Sequence, residues 1–255
     1  MVYKKISLLG IALWLGLNSW TSNWTSGWAD EITSGTMSPQ MQMSPLQISQ
    51  LPPPPWTPPP NRTRAGGSLS DAKACTSSTE NLLAIVPTEN PVVTTLAHPT
   101  VLFYVPYGAS DVQSGEFSVL VGPNEMTRLY RARFKLPSSP GIVSVKLPET
   151  ADTALTLGKS YHWYFKLYCT GNTTSKADLQ VDGWIQRVEA TPERDRQIQA
   201  GTPEVWYDAL AKLADHISAM PQNAQLRERW RSLLTIAGAA DAVQKPIVGE
   251  VVTEP

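Results

Sequence analysis

The sequence predicts a mainly β protein, in which an antiparallel β-sandwich is followed by a C-terminal helical unit. Two observations predict this fold. Between residues 82 and 188, short apolar runs are separated by proline, glycine and asparagine, as in sandwiches whose strands are joined by short loops. After residue 190, apolar residues recur every three or four positions instead, which is the spacing of amphipathic helices.

The predicted sandwich covers residues 75–190 and is built from runs in which apolar and polar residues alternate. The run at 128–136 is the clearest, with basic side chains on one face and apolar side chains on the other. Because no helical pattern separates the runs, the strands are expected to pair antiparallel. The predicted strands are residues 100–107, 116–122, 128–136, 141–147, 160–169 and 179–188, with a weaker seventh at 82–87.

The run "SYHWYFKLYC", Ser160 to Cys169, has two faces of different character, because alternate residues of a strand share a face. The apolar face predicts the centre of the core and consists of Tyr161, Trp163, Phe165, Leu167 and Cys169. The amphipathic face is a candidate binding face and consists of His162, Tyr164, Lys166 and Tyr168. It is either an open platform for sugar rings or a peptide, or a surface covered by the C-terminal helices; covering is favoured.

The stretch "LTLGKSY" at residues 155–161 resembles the tyrosine corner of immunoglobulin and fibronectin type III sandwiches. In that motif a tyrosine hydroxyl bonds to backbone upstream of it, and a leucine packs beneath the ring. The resemblance assigns these structural roles to Tyr161 and Leu155. It implies an immunoglobulin/fibronectin-III-like sandwich.

The helical unit is predicted over residues 191–247. Its segments begin with Thr-Pro-Glu, at Thr191 and again at Thr202, which is typical of helix N-termini. Trp206 and Trp230 belong to apolar stripes that predict a packed helical hairpin. The string "WYDALAKLAD" also resembles half of a tetratricopeptide repeat, but no second copy follows, so packing is favoured over peptide binding. Residues 248–255 are expected to form a tail.

Residues 1–29 predict a secretory signal peptide, in which two lysines precede an apolar run at 6–17 that is too short to span a membrane. "GWA" at residues 27–29 suits a cleavage site; an uncleaved N-terminal anchor is the alternative. Residues 30–74 predict a disordered linker, since they lack an apolar period and "PPPPWTPPP" (52–60) holds seven prolines in nine residues. No membrane span is expected in the mature chain.

The chain has two cysteines, Cys75 and Cys169. In an oxidising compartment such a pair predicts one disulfide, and two buried free thiols are the alternative. Together with the signal peptide, the pair predicts export to the periplasm, the cell envelope or the extracellular space.

Five segments, in this order, resemble the cyanobacterial family catalogued as domain of unknown function 928. They are "HPTVLFYVPY", "PGIVSVKLP", "LxxGKSYHWYFKLYC", "VDGWIQRV" and "WYDALAKLAD". The resemblance covers about residues 75–247. It implies an exported protein with one sandwich followed by helices, and it implies no activity, cofactor or ligand.

The sequence shows no catalytic motif, so no enzymatic activity and no cofactor are expected. The histidines His98, His162 and His216 are dispersed, which argues against a zinc site. A net charge of −1 without a basic cluster argues against nucleic acid as a partner. We therefore expect a non-enzymatic exported module for protein interaction, adhesion or assembly. A carbohydrate-binding module using the aromatic face is the alternative, and a hydrolase is a remote one.

Overall fold

The computed structural model describes residues 56–65, 75, 78–169 and 176–254. These residues belong to one compact unit of the chain, Pro53–Pro255. The predicted signal peptide, its cleavage site and most of the predicted linker lie outside the described residues. No helix among those described is long and apolar enough to cross a membrane.

Strands form the first two thirds of the described chain and helices most of the remainder. The strands are β1 (Leu83–Ala84), β2 (Val93–Thr94), β3 (Thr100–Val105), β4 (Val112–Val121), β5 (Thr127–Lys135), β6 (Gly141–Lys146), β7 (Ser160–Cys169), β8 (Leu179–Arg187), β9 (Ile247–Glu250) and β10 (Val252–Thr253). The helices are α1 (Pro192–Ala200), α2 (Trp206–Ala219) and α3 (Ala224–Ile236), with 3₁₀ turns at Ala151–Thr153, Pro203–Val205 and Ala240–Ala242.

The strands form two mixed sheets. The larger sheet has the order β10-β5-β4-β7-β8-β2, and the smaller has the order β1-β3-β6-β9. The pairs β2–β8 and β6–β9 are parallel, so the prediction of purely antiparallel sheets is wrong. Both exceptions involve strands of two or four residues, which are too short to show an alternating pattern. The fold is therefore mainly β with three C-terminal helices, and the immunoglobulin/fibronectin-III-like arrangement is not confirmed.

The core lies between the inner faces of the two sheets. Phe103 of β3 stacks on Phe165 of β7 with ring centroids 4.0 Å apart, and it meets Trp163 edge-on at 5.5 Å. Trp163 and Phe165 are fully buried. Gly183 of β8 lies opposite Trp163 of β7. A Cβ at Gly183 would lie 2.5 Å from the indole, so the glycine leaves the room that the ring needs.

The turn before β7 contains the hydrogen bond that a tyrosine corner requires. The backbone N–H of Thr156 donates to the hydroxyl of Tyr161 over 2.8 Å. Tyr161 and Leu155 are both buried, with 2% and 1% of their surface exposed. The corner therefore ties the start of β7 to the loop that leads into it.

The helical unit packs through α2, which contacts β2 and β3. Trp206 is buried, and its indole N–H donates to the carbonyl of Ile85 over 2.9 Å. Asp208, in the first turn of α2, accepts from the backbone N–H of Thr95 over 2.8 Å and from the hydroxyl of Thr94. Trp230 of α3 is buried as well. The aromatic residues of the predicted helices thus serve packing.

Residues 61–65 pair with the edges of both sheets. Arg62 forms an antiparallel bridge with Asp182 of β8, and Arg64 forms one with Leu83 of β1. Asn61 is 5% exposed. The prediction of a disordered linker over 30–74 is therefore wrong for this stretch, because the partners that satisfy its backbone come from distant strands and leave no local pattern.

The opposite edges of the sheets are paired with the C-terminal residues. β9 lies beside β6 in the smaller sheet, and β10 lies beside β5 in the larger sheet. The predicted tail at 248–255 therefore contains strand residues. β9 and β10 are therefore the edge strands on this side, and their shortness limits edge-to-edge association.

Cys75 and Cys169 form a disulfide with their Cα atoms 5.3 Å apart. Both cysteines are buried, and the bridge joins residue 75 to the last residue of β7. It closes a loop that contains β1 to β7.

Candidate functional site

The candidate binding face lies on the outer surface of the larger sheet, and the helices do not cover it. The helical unit packs on β2 and β3, and Tyr207 of α2 meets β7 on its inner face, at Trp163. On the outer face, Tyr164, Lys166 and Tyr168 are each partly exposed, whereas His162 is 8% exposed. The favoured expectation of a helical cover therefore does not describe this face.

His162 lies between two carboxylates. Its Nδ1 is 2.8 Å from Oε1 of Glu125, and its Nε2 is 3.1 Å from Oδ2 of Asp182. β8 places Asp182 one strand away from His162, while Glu125 reaches it from the loop after β4. The backbone of Glu125 has a φ of 56°, in the left-handed region that non-glycine residues seldom adopt. We call His162, Glu125, Asp182 and Tyr164 the His162 cluster.

Tyr164 completes the His162 cluster. Its hydroxyl donates to Oε2 of Glu125 over 2.6 Å and lies 2.9 Å from Nδ1 of His162. The two ring nitrogens of His162 thus face one carboxylate each, and a ring nitrogen that carries a proton donates to the oxygen it faces. Arg62 adds a cation 3.5 Å from Asp182. The cluster is therefore a closed network of charges rather than a set of free groups.

The titration of the carboxylates reflects this network. Burial raises the pKa of Glu125, but hydrogen bonds from Tyr164 and His162 outweigh it, so the pKa lies below its ordinary value. Burial likewise opposes ionisation of Asp182, yet hydrogen bonds from His162 and Gln180 and the charge of Arg62 lower its pKa. Burial, and then the bond to Glu125, raises the pKa of Tyr164. The cluster thus holds two carboxylates and a neutral phenol at neutral pH.

A second group of charges lies further along the same face. Glu116 of β4 is buried and pairs with Arg131 at 2.6 Å and with Lys166 at 3.7 Å. The ammonium of Lys166 also lies 5.5 Å from the ring centroid of Tyr164. Lys166 therefore connects the two charged groups and stands over an aromatic ring.

The other end of the face contains two tryptophans. Trp184 of β8 stacks on His162 with ring centroids 4.3 Å apart and planes inclined by 13°. Trp56 meets Trp184 edge-on at 4.9 Å. Trp184 is 3% exposed, whereas Trp56 is 46% exposed. Trp56 thus covers this end of the face.

Sequence reasoning identified the residues of β7 but missed their partners. Glu125, Asp182 and Trp184 come from a loop and from the neighbouring strand, so only the pairing of the sheet brings them to His162. The alternation of "LQVDGWIQRV" is the signal that could have placed Asp182 and Trp184 on one face. Nothing in the local sequence indicates the backbone conformation of Glu125.

The arrangement can bind polar and aromatic groups, but it shows no metal centre. Among the described residues, no group of three or more histidine, cysteine, aspartate or glutamate side chains could hold a metal ion. His98 instead contacts the carbonyl of Thr150, and His216 lies in α2, away from His162. The three histidines therefore stay apart in the fold.

Two clefts lie away from this face. The larger, of about 600 Å³, separates α1 and α2 from β3, β6 and β9, and Leu102, Ile142 and Ala211 line its apolar part. The smaller, of about 390 Å³, lies beside Trp230 with Arg227 and Lys245 at its rim. Arg227 and Lys245 already bind the carbonyl of Pro221 and the carboxylate of Glu80.

The chain matches the model of a protein family. The family model described as Domain of Unknown Function (DUF928) matches residues 62–247, well over half of the chain. The match begins at Arg62, inside the segment that pairs with the sheet edges, and ends at the first residue of β9. No curated protein matches the chain.

Proposed function

The chain belongs to the DUF928 family, and since that family's description assigns no activity, we propose from the site that it is a non-enzymatic exported module that binds a protein partner. The proposed contact surface is the outer face of the larger sheet, and the proposed role is interaction, adhesion or assembly in the envelope or outside the cell.

One observation carries this proposal: the outer face of β7 is aromatic and charged, and the helices leave it uncovered. Tyr164, Lys166 and Tyr168 stand in a row on it and are partly exposed. Tyrosine is favoured at protein interfaces because its ring buries apolar area while its hydroxyl remains able to bond. The paired charges of Glu116 and Lys166 fix the shape of the face before any partner arrives.

Export and the absence of catalysis are parts of the same proposal. The disulfide of Cys75 and Cys169 suits an oxidising compartment. Both ring nitrogens of His162 face carboxylates of this same chain, so the histidine is engaged in holding the face together. We infer a structural role for it, because a general base needs a nitrogen directed at its substrate.

The sandwich itself is proposed to be immunoglobulin/fibronectin-III-like. The hydrogen bond from Thr156 to Tyr161 supports this arrangement. Because each sheet also contains one parallel pair of strands, we propose a variant of this sandwich rather than its purely antiparallel form. Sandwiches of this kind commonly present binding surfaces, which agrees with the proposed role.

A capture experiment from the native envelope tests the proposal. The full chain is immobilised beside two variants of it, Lys166→Ala with Tyr168→Ala on the face and Leu96→Ala with Ile236→Ala elsewhere on the surface. We expect the wild type and the Leu96→Ala, Ile236→Ala variant to retain the same partner protein. The Lys166→Ala, Tyr168→Ala variant should retain at least tenfold less of it. Equal retention by all three would contradict the proposed surface.

A carbohydrate ligand is the second candidate, supported by the neighbouring rings of His162, Tyr164 and Trp184. The His162 and Tyr164 centroids are 4.2 Å apart, so the rings form a continuous row. His162 and Trp184 are buried by their own neighbours, however, which leaves Tyr164 and Tyr168 as the accessible rings and favours a protein partner. Binding of a purified glycan that is lost with Tyr164→Ala would reverse this preference.

A further inference from the structure

We propose that the surface around Trp184 is a docking site for an extended segment in which a tryptophan is flanked by prolines, and that residues 56–60 occupy it in cis. We call this surface the Trp184 niche; Trp184 and Asn90 form it. This inference rests on the proposed function, because it names the chemistry of one partner of the same face.

The occupant already present defines what the niche accepts. Trp56 places its ring edge-on to Trp184 with the centroids 4.9 Å apart. Three residues later, the carbonyl of Pro59 accepts a hydrogen bond from Nδ2 of Asn90 over 2.6 Å. A ring contact followed by a bond to a backbone carbonyl is the way in which aromatic surfaces recognise proline-rich segments, whose backbone lacks donors but presents carbonyls.

The niche has an acceptor that its present occupant does not use. Oδ1 of Asn90 is buried and has no hydrogen-bond partner among the described residues. An unpaired buried oxygen is unfavourable, so residues 56–60 satisfy the polar groups of the niche only in part. The cis contact is therefore incomplete, which favours exchange with a second copy of the same kind of segment.

The two halves of the N-terminal segment are held with different strength. Asn61 is buried, donates to the carbonyl of Pro87 over 2.8 Å and accepts from the backbone N–H of Trp184 over 2.7 Å. Trp56, in contrast, leaves 46% of its surface exposed. Residues 61–65 thus belong to the fold, whereas the Trp56 end lies on its surface and can give way to a competitor.

The size of the competition follows from effective concentration. A segment joined to its site by a short linker acts as if present at about 1 mM. For a peptide whose intrinsic dissociation constant is about 0.1 mM, such a competitor weakens binding roughly tenfold. Residues 56–60 would therefore inhibit docking without preventing it, and removing the ring of Trp56 would release the niche.

The test uses the full chain and a fluorescent peptide that copies residues 52–60, PPPPWTPPP, followed by anisotropy. We expect Trp56→Ala to bind this peptide about tenfold more tightly than the wild type does. The control peptide PPPPATPPP should bind neither protein. Because Trp56 is half exposed, the variant should keep the wild-type melting temperature, which excludes unfolding as the cause.

Three outcomes would overturn the inference: no binding by Trp56→Ala, equal affinities of the two proteins, or equal binding of the two peptides. The envelope experiment with Lys166→Ala and Tyr168→Ala tests the proposed function by a different readout. If the envelope partner is captured while the peptide fails, only the Trp184 niche is refuted. If the peptide binds and no partner is captured, the niche stands and the proposed contact surface of β7 does not.

Discussion

The two faces of β7 differ in what their aromatic rings do. On the inner face, Trp163 and Phe165 are fully buried and pack against the opposite sheet. On the outer face, Tyr164 and Tyr168 remain partly exposed, and His162 is buried by its own neighbours. The same strand therefore supplies the centre of the core and the proposed binding surface.

The comparison shows that a ring-rich sequence does not by itself distinguish a core from a site. The rings of the inner face pack against other buried rings and make hydrogen bonds only to neutral groups, whereas those of the outer face contact carboxylates and a lysine. A substitution on the inner face should therefore cost stability, and one on the outer face should cost recognition.

Trp163→Ala should have the largest effect on stability. It opens a cavity in the core and removes the hydrogen bond from the indole N–H to the hydroxyl of Tyr207, which spans 2.8 Å. A loss of about 3–5 kcal/mol in unfolding free energy is expected from denaturant titration. Trp56→Ala, the same change at a half-exposed ring, is the control and should lose far less. Equal losses would abolish the distinction between the faces.

Removing the disulfide should have the next largest effect. The bridge joins residues 94 apart in sequence, and its loss should cost about 2–4 kcal/mol. The melting temperature should fall by roughly 5–15 °C, while the sandwich keeps its fold because its core does not depend on the bridge. The double variant Cys75→Ala, Cys169→Ala should melt like the reduced wild type. Free thiols can be counted in protein that is recovered from its native compartment and denatured without a reductant. Two reactive thiols per chain would disprove the bridge.

Tyr161→Phe should cost about 1–3 kcal/mol, because the N–H of Thr156 loses its acceptor, the hydroxyl of the buried Tyr161. Tyr164→Phe removes a hydroxyl on the outer face, where water can replace it, and should cost less than about 1 kcal/mol. Chemical denaturation of both variants measures which one loses more unfolding free energy. A larger loss for Tyr164→Phe would contradict a tyrosine corner at Tyr161.

Acid should weaken the His162 cluster. The pKa values of Glu125 and Asp182 are lower in the folded chain than when unfolded, so their ionisation stabilises the fold above about pH 4. That contribution is lost as the pH falls through the folded values. The double variant Glu125→Gln, Asp182→Asn should therefore be less stable than the wild type at pH 7. Between pH 5 and pH 3 it should lose less stability than the wild type loses.

Melting curves across pH 3–7 measure this difference. Glu89→Gln, at an exposed position in the loop before β2, is the matched control and should follow the wild type. If the double variant showed the wild-type acid dependence, the carboxylates around His162 would not be the groups that respond to acid.

Tyr168→Ala should change stability least, within about 0.5 kcal/mol, because the side chain is partly exposed. Its effect should appear instead in capture of the envelope partner. A large loss of stability with unchanged capture would place Tyr168 with the core residues and narrow the proposed surface to Tyr164 and Lys166.

The sequence predicted the long strands because their side chains alternate over six or more residues. β4, β7 and β8 were all recognised for this reason. β2, β9 and β10 were missed, because strands of two to four residues depend on the edge that they join rather than on their own pattern. Composition also misled the prediction at residues 61–65, since prolines nearby indicated disorder while distant strands supplied the hydrogen bonds.

The site was predicted only in part, for a related reason. Alternation placed His162, Tyr164, Lys166 and Tyr168 on one face, as the structure has them. The carboxylate of Glu125 reaches that face through a loop conformation, and Trp56 reaches it through the docking of a proline-rich segment. Both contacts join residues more than 35 positions apart, and no local pattern encodes them.

The disulfide also determines how the protein would respond to mechanical force. If the chain is pulled by its two ends, the bridge transmits the load directly from residue 75 to residue 169. The 94 residues of that loop, about 320 Å of extended chain at roughly 3.4 Å per residue, cannot then be drawn out. Tension would extend only the segments outside the loop, so β1 to β7 would carry no load even after β8, the helices and the C-terminal strands had been pulled away. Reduction of the disulfide would allow the loop to extend as well. A single-molecule extension trace would then show one additional step.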